Sequence, residues 1–218
     1  MRASSISARP RRIRWRAAPM CRPGPIAGGW AEAMPMCRPL RTERLVLRSL
    51  TRADIPALVA GLNDFSVSKW LTVVPFPYTA ADAAAFVDAV ASGSGFGALS
   101  ITRAPTRATT NDGGPVIGVI GIGDGLGYWL ARAHHGHGYM SEAAAALVGA
   151  WFAETGAAAL TSGCFEGNAA SARVLGKLGF RPSHDERVHA RARDAEVTLH
   201  RMRLTRADWQ RRKGGADG

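Results

Sequence analysis

From residue 40 onward the apolar residues fall in short runs, and the spacing within each run points to its element. Arg44-Leu45-Val46-Leu47-Arg48 alternates as a strand does. Thr51 followed by Asp54, and Thr79 followed by Asp82, have the form of capping-box helix starts; they predict helices running to about Leu62 and over Ala83–Ala91. Phe96–Thr102 reads as a strand, and the polar, Gly/Pro-marked stretch from Pro105 to Gly114 as a loop. Val116–Ile122 and Leu126–Leu130 are apolar runs joined by Gly123-Asp124-Gly125, a hairpin signal. Met140–Phe152 is an Ala-rich helix, Leu160–Phe165 a strand, and Asn168–Leu178 a helix with Val174, Leu175 and Leu178 on one stripe. Gly179 suits a left-handed cap at its end, and strands at about Phe180–Val188 and Glu196–Leu204 close the pattern.

These elements predict one mixed α/β (α+β) domain over residues 41–210, with a central sheet of about six to seven strands flanked by about four helices. Residues 1–40 carry no sustained apolar period and many Pro and Gly, so they are expected to be a disordered basic leader. A start placed too early is the other reading, since Met20, Met34 and Met36 all precede the first patterned segment. Residues 211–218 are expected to be a frayed tail.

Composition narrows the class. The 218 residues are 46% hydrophobic and 21% charged, which excludes a wholly disordered chain. No run approaches the roughly 18 apolar residues of a membrane span, so no membrane partner is expected. Cys21, Cys37 and Cys164 show no CxxC spacing, which fits a reducing, cytoplasmic setting and gives no zinc ribbon. The formal charge is +11, but residues 1–41 hold nine Arg against Glu32 alone, leaving a net +3 for the rest. Nucleic acid is therefore not the expected partner of the domain.

The candidate chemistry begins at Gly127-Tyr128-Trp129-Leu130 and continues through Gly136-His137-Gly138-Tyr139-Met140-Ser141. A strand, a turn with two glycines and a helix start leave backbone amides unpaired beside a positive dipole end, which is a pyrophosphate cradle. An ordinary strand-to-helix turn has the same glycines. A P-loop is excluded because Tyr139 and Met140 stand where Lys and Ser/Thr would, and a dinucleotide fingerprint because Ser141 takes the third glycine position. His134, His135 and His137 share a tight turn with no carboxylate at ligand spacing, so no metal is expected. Cys164, inside a strand, reads as a buried thiol.

The segment Asn168-Ala169-Ala170-Ser171-Ala172-Arg173-Val174-Leu175-Gly176-Lys177-Leu178-Gly179-Phe180 resembles the N-x-x-S-x-x-v-L-x-K-L-G-F helix of GNAT N-acyltransferases. Leu40 to Arg48 resembles the first strand of the branch that acetylates ribosomal-protein N-terminal alanines, and Arg203 to Trp209 its usual end. The resemblance implies a GNAT-like domain that transfers an acetyl group from acetyl-CoA to an amine. Amides of His135, Gly136, His137, Gly138, Tyr139 and Met140 would hold the pyrophosphate, and Tyr128, Trp129 and Leu130 would pair with the pantetheine arm. Asn168 would bond that arm or cap its helix; Lys177, Arg132 and Arg173 would meet the 3′-phosphate or simply face solvent. Ser171 would be the general acid, because the position that carries tyrosine in many relatives is Leu175. Asp124 would be a base or merely a hairpin residue, and Glu142 a charge for the first helical turn.

No base declares itself, which bears on the acceptor. An α-amine is roughly one-third neutral at pH 7.5, a lysine only about 0.1%. The expected acceptor is therefore a protein N-terminus. A small amine (an antibiotic or polyamine) is the alternative, and an acyl-CoA-binding regulator that has lost chemistry is a third reading. The acceptor pocket falls to the segments Asn63–Tyr78 and Arg191–Ala195, and the protein to a monomer or homodimer.

Overall fold

A computed structural model describes residues 39–93, 97–104 and 114–214. Strands β1 (Leu40–Arg41) and β2 (Leu45–Ser49) lead through a 3-10 turn at Arg52–Asp54 into α1 (Ile55–Leu62). Helices α2 (Phe65–Ser68) and α3 (Ala80–Ala91) precede strands β3 (Gly97–Arg103), β4 (Val116–Ile122) and β5 (Leu126–Leu130). A second 3-10 turn, Arg132–His134, opens the loop to α4 (Tyr139–Glu154). Then come β6 (Ala159–Phe165), α5 (Ala169–Leu178), β7 (Arg181–Ala190), β8 (Ala195–Thr205) and α6 (Arg206–Gly214).

The eight strands form one sheet in the order β1-β2-β3-β4-β5-β6-β8-β7. Every pairing is antiparallel except β5 with β6. The class is the expected one, with one strand and two helices more than the sequence pattern counts. The extra elements are short or polar. β1 is two residues long, and α2 is a single turn whose N-cap Asp64 accepts from the Ser66 amide at 2.8 Å. α6 carries the ordered chain past Gln210, the expected end of the domain, to Gly214. Thr205 Oγ1 donates to Asp208 at 2.6 Å and accepts from its amide, and Trp209 is buried. The leader (residues 1–38) and residues 215–218 lie outside the described residues.

Each face of the sheet is covered by a helical layer. Leu147, Val148, Leu175 and Leu178 of α4 and α5 pack with Ile120, Leu126 and Leu160 on one face. Leu58, Leu62, Val67 and Val87 of α1 to α3 pack with Ala98 and Val119 on the other. Burying a side chain of this size contributes about 2 kcal/mol, so these two layers supply most of the cohesion. At the start of α1, Asp54 is held by both terminal nitrogens of Arg48 (2.9 and 2.7 Å) and by the Thr51 amide (2.8 Å).

What positions the site is a failure of pairing. β5 and β6 run parallel but share one recorded pair, Leu126 with Ser162. Ser162 Oγ donates to the Leu126 carbonyl at 2.8 Å, and Thr161 Oγ1 to the Asp124 carbonyl at 2.7 Å. Those bonds pin the strands at their closed end. Beyond it they diverge, and a V opens toward Leu130 and Phe165.

Candidate active site

The loop from β5 to α4 is built for its glycines. Gly136 and Gly138 sit at φ 82° and 77°, a region costly for residues with a Cβ, and Gly138 is the N-cap of α4. The first α4 hydrogen bond runs from the Glu142 amide to the Gly138 carbonyl at 3.1 Å. Amides of Gly136 through Ser141 therefore have no backbone acceptor among the described residues. His135 differs from the expectation: its amide is taken by the Arg132 carbonyl at 3.2 Å, and its ring Nε2 donates to the Leu130 carbonyl at 2.8 Å. The anion cradle thus begins at Gly136.

Arg44 holds this loop from behind. Its Nη1 donates to the His137 carbonyl at 3.0 Å, and its guanidinium lies 5.0 Å from the centre of the Tyr139 ring. Its Nε and backbone amide both reach the Glu142 carboxylate, at 2.7 and 3.0 Å, which Thr42 also donates to. Burial of Glu142 raises its pKa, but those bonds outweigh it and hold the carboxyl below its usual range. Glu142 therefore ties the β1–β2 turn to α4 from its expected place in the first helical turn. Arg44 is a functional residue that the sequence pattern does not mark, since a basic residue flanking a strand reads as solvated.

The open edge of β5 follows from its register. The Ala131 amide bonds the Ile117 carbonyl of β4 at 2.9 Å, and antiparallel strands alternate the direction of their main-chain groups. Tyr128 accordingly turns its peptide groups to the V, as does Leu130 its amide, the Leu130 carbonyl being bonded by the His135 ring. Trp129 is turned the other way; its peptide groups face β4, and its ring packs on α1, where a Cβ on Gly61 would stand 2.6 Å from it.

At the first turn of α5 the Tyr128 hydroxyl lies 2.9 Å from Ser171 Oγ. Burial pushes the Tyr128 phenol up to about 12, against the hydrogen bond it shares with Ser171, so the phenol stays protonated. Asn168 Oδ1 accepts from the Ser171 amide at 3.1 Å, the N-cap role, and fixes the serine's backbone. Leu175, where relatives carry tyrosine, is fully buried. A cavity of about 220 Å³ adjoins this turn, walled by Cys164, Asn168, Ala169, Ala172 and His200. Burial raises the pKa of the Cys164 thiol, keeping it neutral.

A family model described as an acetyltransferase (GNAT) domain matches residues 44–181. The chain belongs to the GNAT acetyltransferase family. Among solved structures, the acetyltransferase from Agrobacterium tumefaciens str. C58 is 30% identical, covering 75% of this chain and 93% of that one, with TM-score 0.56. The GNAT-family acetyltransferase from Bacillus anthracis is 20% identical over 77% and 98% of the two chains, with TM-score 0.63. RimL, a ribosomal L7/L12 alpha-N-protein acetyltransferase in complex with coenzyme A, is 16% identical over 77% and 98%, with TM-score 0.59. The protein is an acyl-CoA-dependent N-acetyltransferase, and acetyl-CoA is its co-substrate.

Lys177 and Asp124 are both exposed in this GNAT domain. Lys177 is exposed on the last turn of α5, six residues and roughly 9 Å along the axis from Ser171. Asp124 is exposed at the closed end of the V, four residues and roughly 13 Å of strand from Tyr128.

The two segments expected to wall the acceptor pocket are clasped together. The Arg191 amide donates to the Thr72 carbonyl at 3.1 Å and its Nη1 to the Val73 carbonyl at 3.2 Å. Arg193 Nε donates to the Lys69 carbonyl at 2.7 Å, and its guanidinium lies over the rings of Trp70 (4.6 Å) and Phe165 (5.5 Å). Among the described residues no three His, Cys, Asp or Glu side chains gather as metal ligands, and no helix is long and apolar enough to cross a membrane.

Proposed function

We propose that the protein transfers the acetyl group of acetyl-CoA to the α-amine of a protein N-terminus. The observation that carries this reading is the V between β5 and β6, with the Tyr128–Ser171 pair at the α5 turn beside it. Amides from Gly136 to Met140 hold the pyrophosphate, and the peptide groups of Tyr128 and the amide of Leu130 align the pantetheine arm as an added strand edge. That leaves the thioester by the first turn of α5. The amine lone pair attacks the carbonyl carbon, and main-chain donors on the open β5 edge steady the developing oxyanion. As the C–S bond breaks, the Ser171 hydroxyl donates to the leaving sulfur, whose proton demand is mild because thiols ionise near pH 8.5. Tyr128, a lasting donor, holds the serine in place for this.

The acceptor assignment draws on RimL, named for α-N-protein acetylation, and on the ease with which an α-amine loses its proton compared with lysine. Coenzyme A release is measured with an N-terminal alanyl peptide, an N-blocked lysine peptide and a polyamine. The alanyl peptide is expected to be the best acceptor by at least about tenfold. A preference for lysine or the polyamine refutes the acceptor, and no turnover with any amine refutes the enzyme's proposed chemistry. Ser171→Ala should lower kcat by about tenfold or more, leaving the KM for acetyl-CoA unchanged.

A further inference from the structure

The sheet register brings one more chemical group to this site. Cys164 on β6 pairs with His200 on β8, and His200 pairs with Asp185 on β7. Successive partners across a sheet share a face, so thiol, imidazole and carboxylate form a row. His200 also walls the cavity at the start of α5, together with Cys164 and Asn168. Its Nδ1 lies 2.8 Å from Asp185 Oδ1. A carboxylate only accepts, so Nδ1 carries the proton and Nε2 of the neutral ring is the basic nitrogen. Nε2 has no protein partner among the described residues. A base oriented by a carboxylate, on the wall of a cavity beside a candidate acid, is the arrangement that general-base catalysis needs.

We infer that His200, oriented by Asp185, is the general base that takes the proton from the acceptor amine. This rests on the acetyl-transfer reading above and supplies the group that reading lacks. As the amine nitrogen bonds to the carbonyl carbon, Nε2 accepts its N–H proton. The C–S bond then breaks, and the sulfur leaves with the electron pair and gains a proton at the Ser171 turn. The imidazolium returns its proton to water, which reaches the half-exposed ring, and Ser171 regains from solvent the proton it gave to sulfur. Acid and base thus flank one turn of helix. The choice of base also fits the acceptor, since imidazole is much closer in basicity to an α-amine than to lysine.

The groups facing the ring are Asp185 from β7, the neutral Cys164 thiol from β6, and Asn168, Ala169 and Ala172 at the positive end of α5. An arylamine acceptor that titrates below about pH 5 removes the acceptor's own ionisation from the pH profile.

The test uses the full-length protein with the alanyl peptide and with this arylamine. His200→Gln should lower kcat on the peptide by about 100-fold at pH 7.5. Coenzyme A affinity by calorimetry should stay within about twofold, showing that the variant is folded. In wild type, kcat/KM for the arylamine should fall on acidification, and His200→Gln should lose that fall. Asp185→Asn should lower kcat by about tenfold with coenzyme A affinity unchanged, since the ring loses the acceptor that fixes its tautomer. Added imidazole should restore activity to His200→Ala, which a purely structural role would not allow. An active wild type matched by His200→Gln in rate and pH profile overturns the base while leaving acetyl transfer standing. A wild type inert toward both amines overturns acetyl transfer, and this inference with it.

Discussion

The two ends of the reaction path are built from different material. The proposed donor cradle at 136–141 is made of peptide amides set by two positive-φ glycines. The segments expected to wall the acceptor pocket are joined by side chains: Arg191 and Arg193 reach across from the β7–β8 turn to grip carbonyls and a tryptophan at 69–73. A backbone site tolerates almost any side chain but not a changed φ. A side-chain site can be rewritten residue by residue while the fold stays still. On the proposed reading, donor binding is set by geometry and acceptor choice by side chains.

The contrast can be broken most sharply at Gly138. Gly138→Val places a β-branched residue at φ 77° and should cost about 2 kcal/mol, read as a roughly 30-fold loss of coenzyme A affinity by calorimetry. Arg193→Ala removes the stacked strap; the KM for the amine should rise about tenfold while coenzyme A binds as before. Equal losses on both sides would merge the two halves into one unit. Asp54→Asn probes the support of α1 beneath the acceptor segment. Burial of Asp54 raises its pKa, but Arg48 and Thr51 more than offset this and lower it, so its contribution is present above the unfolded value near 4 and lost as pH falls through that region. Wild-type thermal stability should drop more steeply than the variant's between about pH 5 and 3, by about 1 kcal/mol. His137→Ala should have the smallest effect, under about twofold in coenzyme A affinity, because its carbonyl and amide do the work and its ring only contacts Tyr139 at 5.5 Å.

The same division explains what is legible in the sequence. Gly136, Gly138, Asn168 and Gly179 act within a turn of their own position, so residue type and short spacing suffice to read them. Thr205 and Asp208 carry the spacing that marks Thr51 and Thr79, and applied there it finds the start of α6. The His200–Asp185 pair spans 15 residues and depends on the register of two strands that include an irregularity at Pro182 to His184. No local pattern encodes that register. Trp129 departs from its expected role for a related reason: a strand residue's partner depends on the parity of pairing, which a motif does not report.

The grip of Arg44 on the His137 carbonyl has a thermodynamic corollary. The amino-terminal edge of the sheet and the phosphate turn share one anchor, so ligand occupancy and edge-strand order must reinforce each other by the same factor in both directions. Saturation with coenzyme should slow amide exchange in Leu45–Ser49.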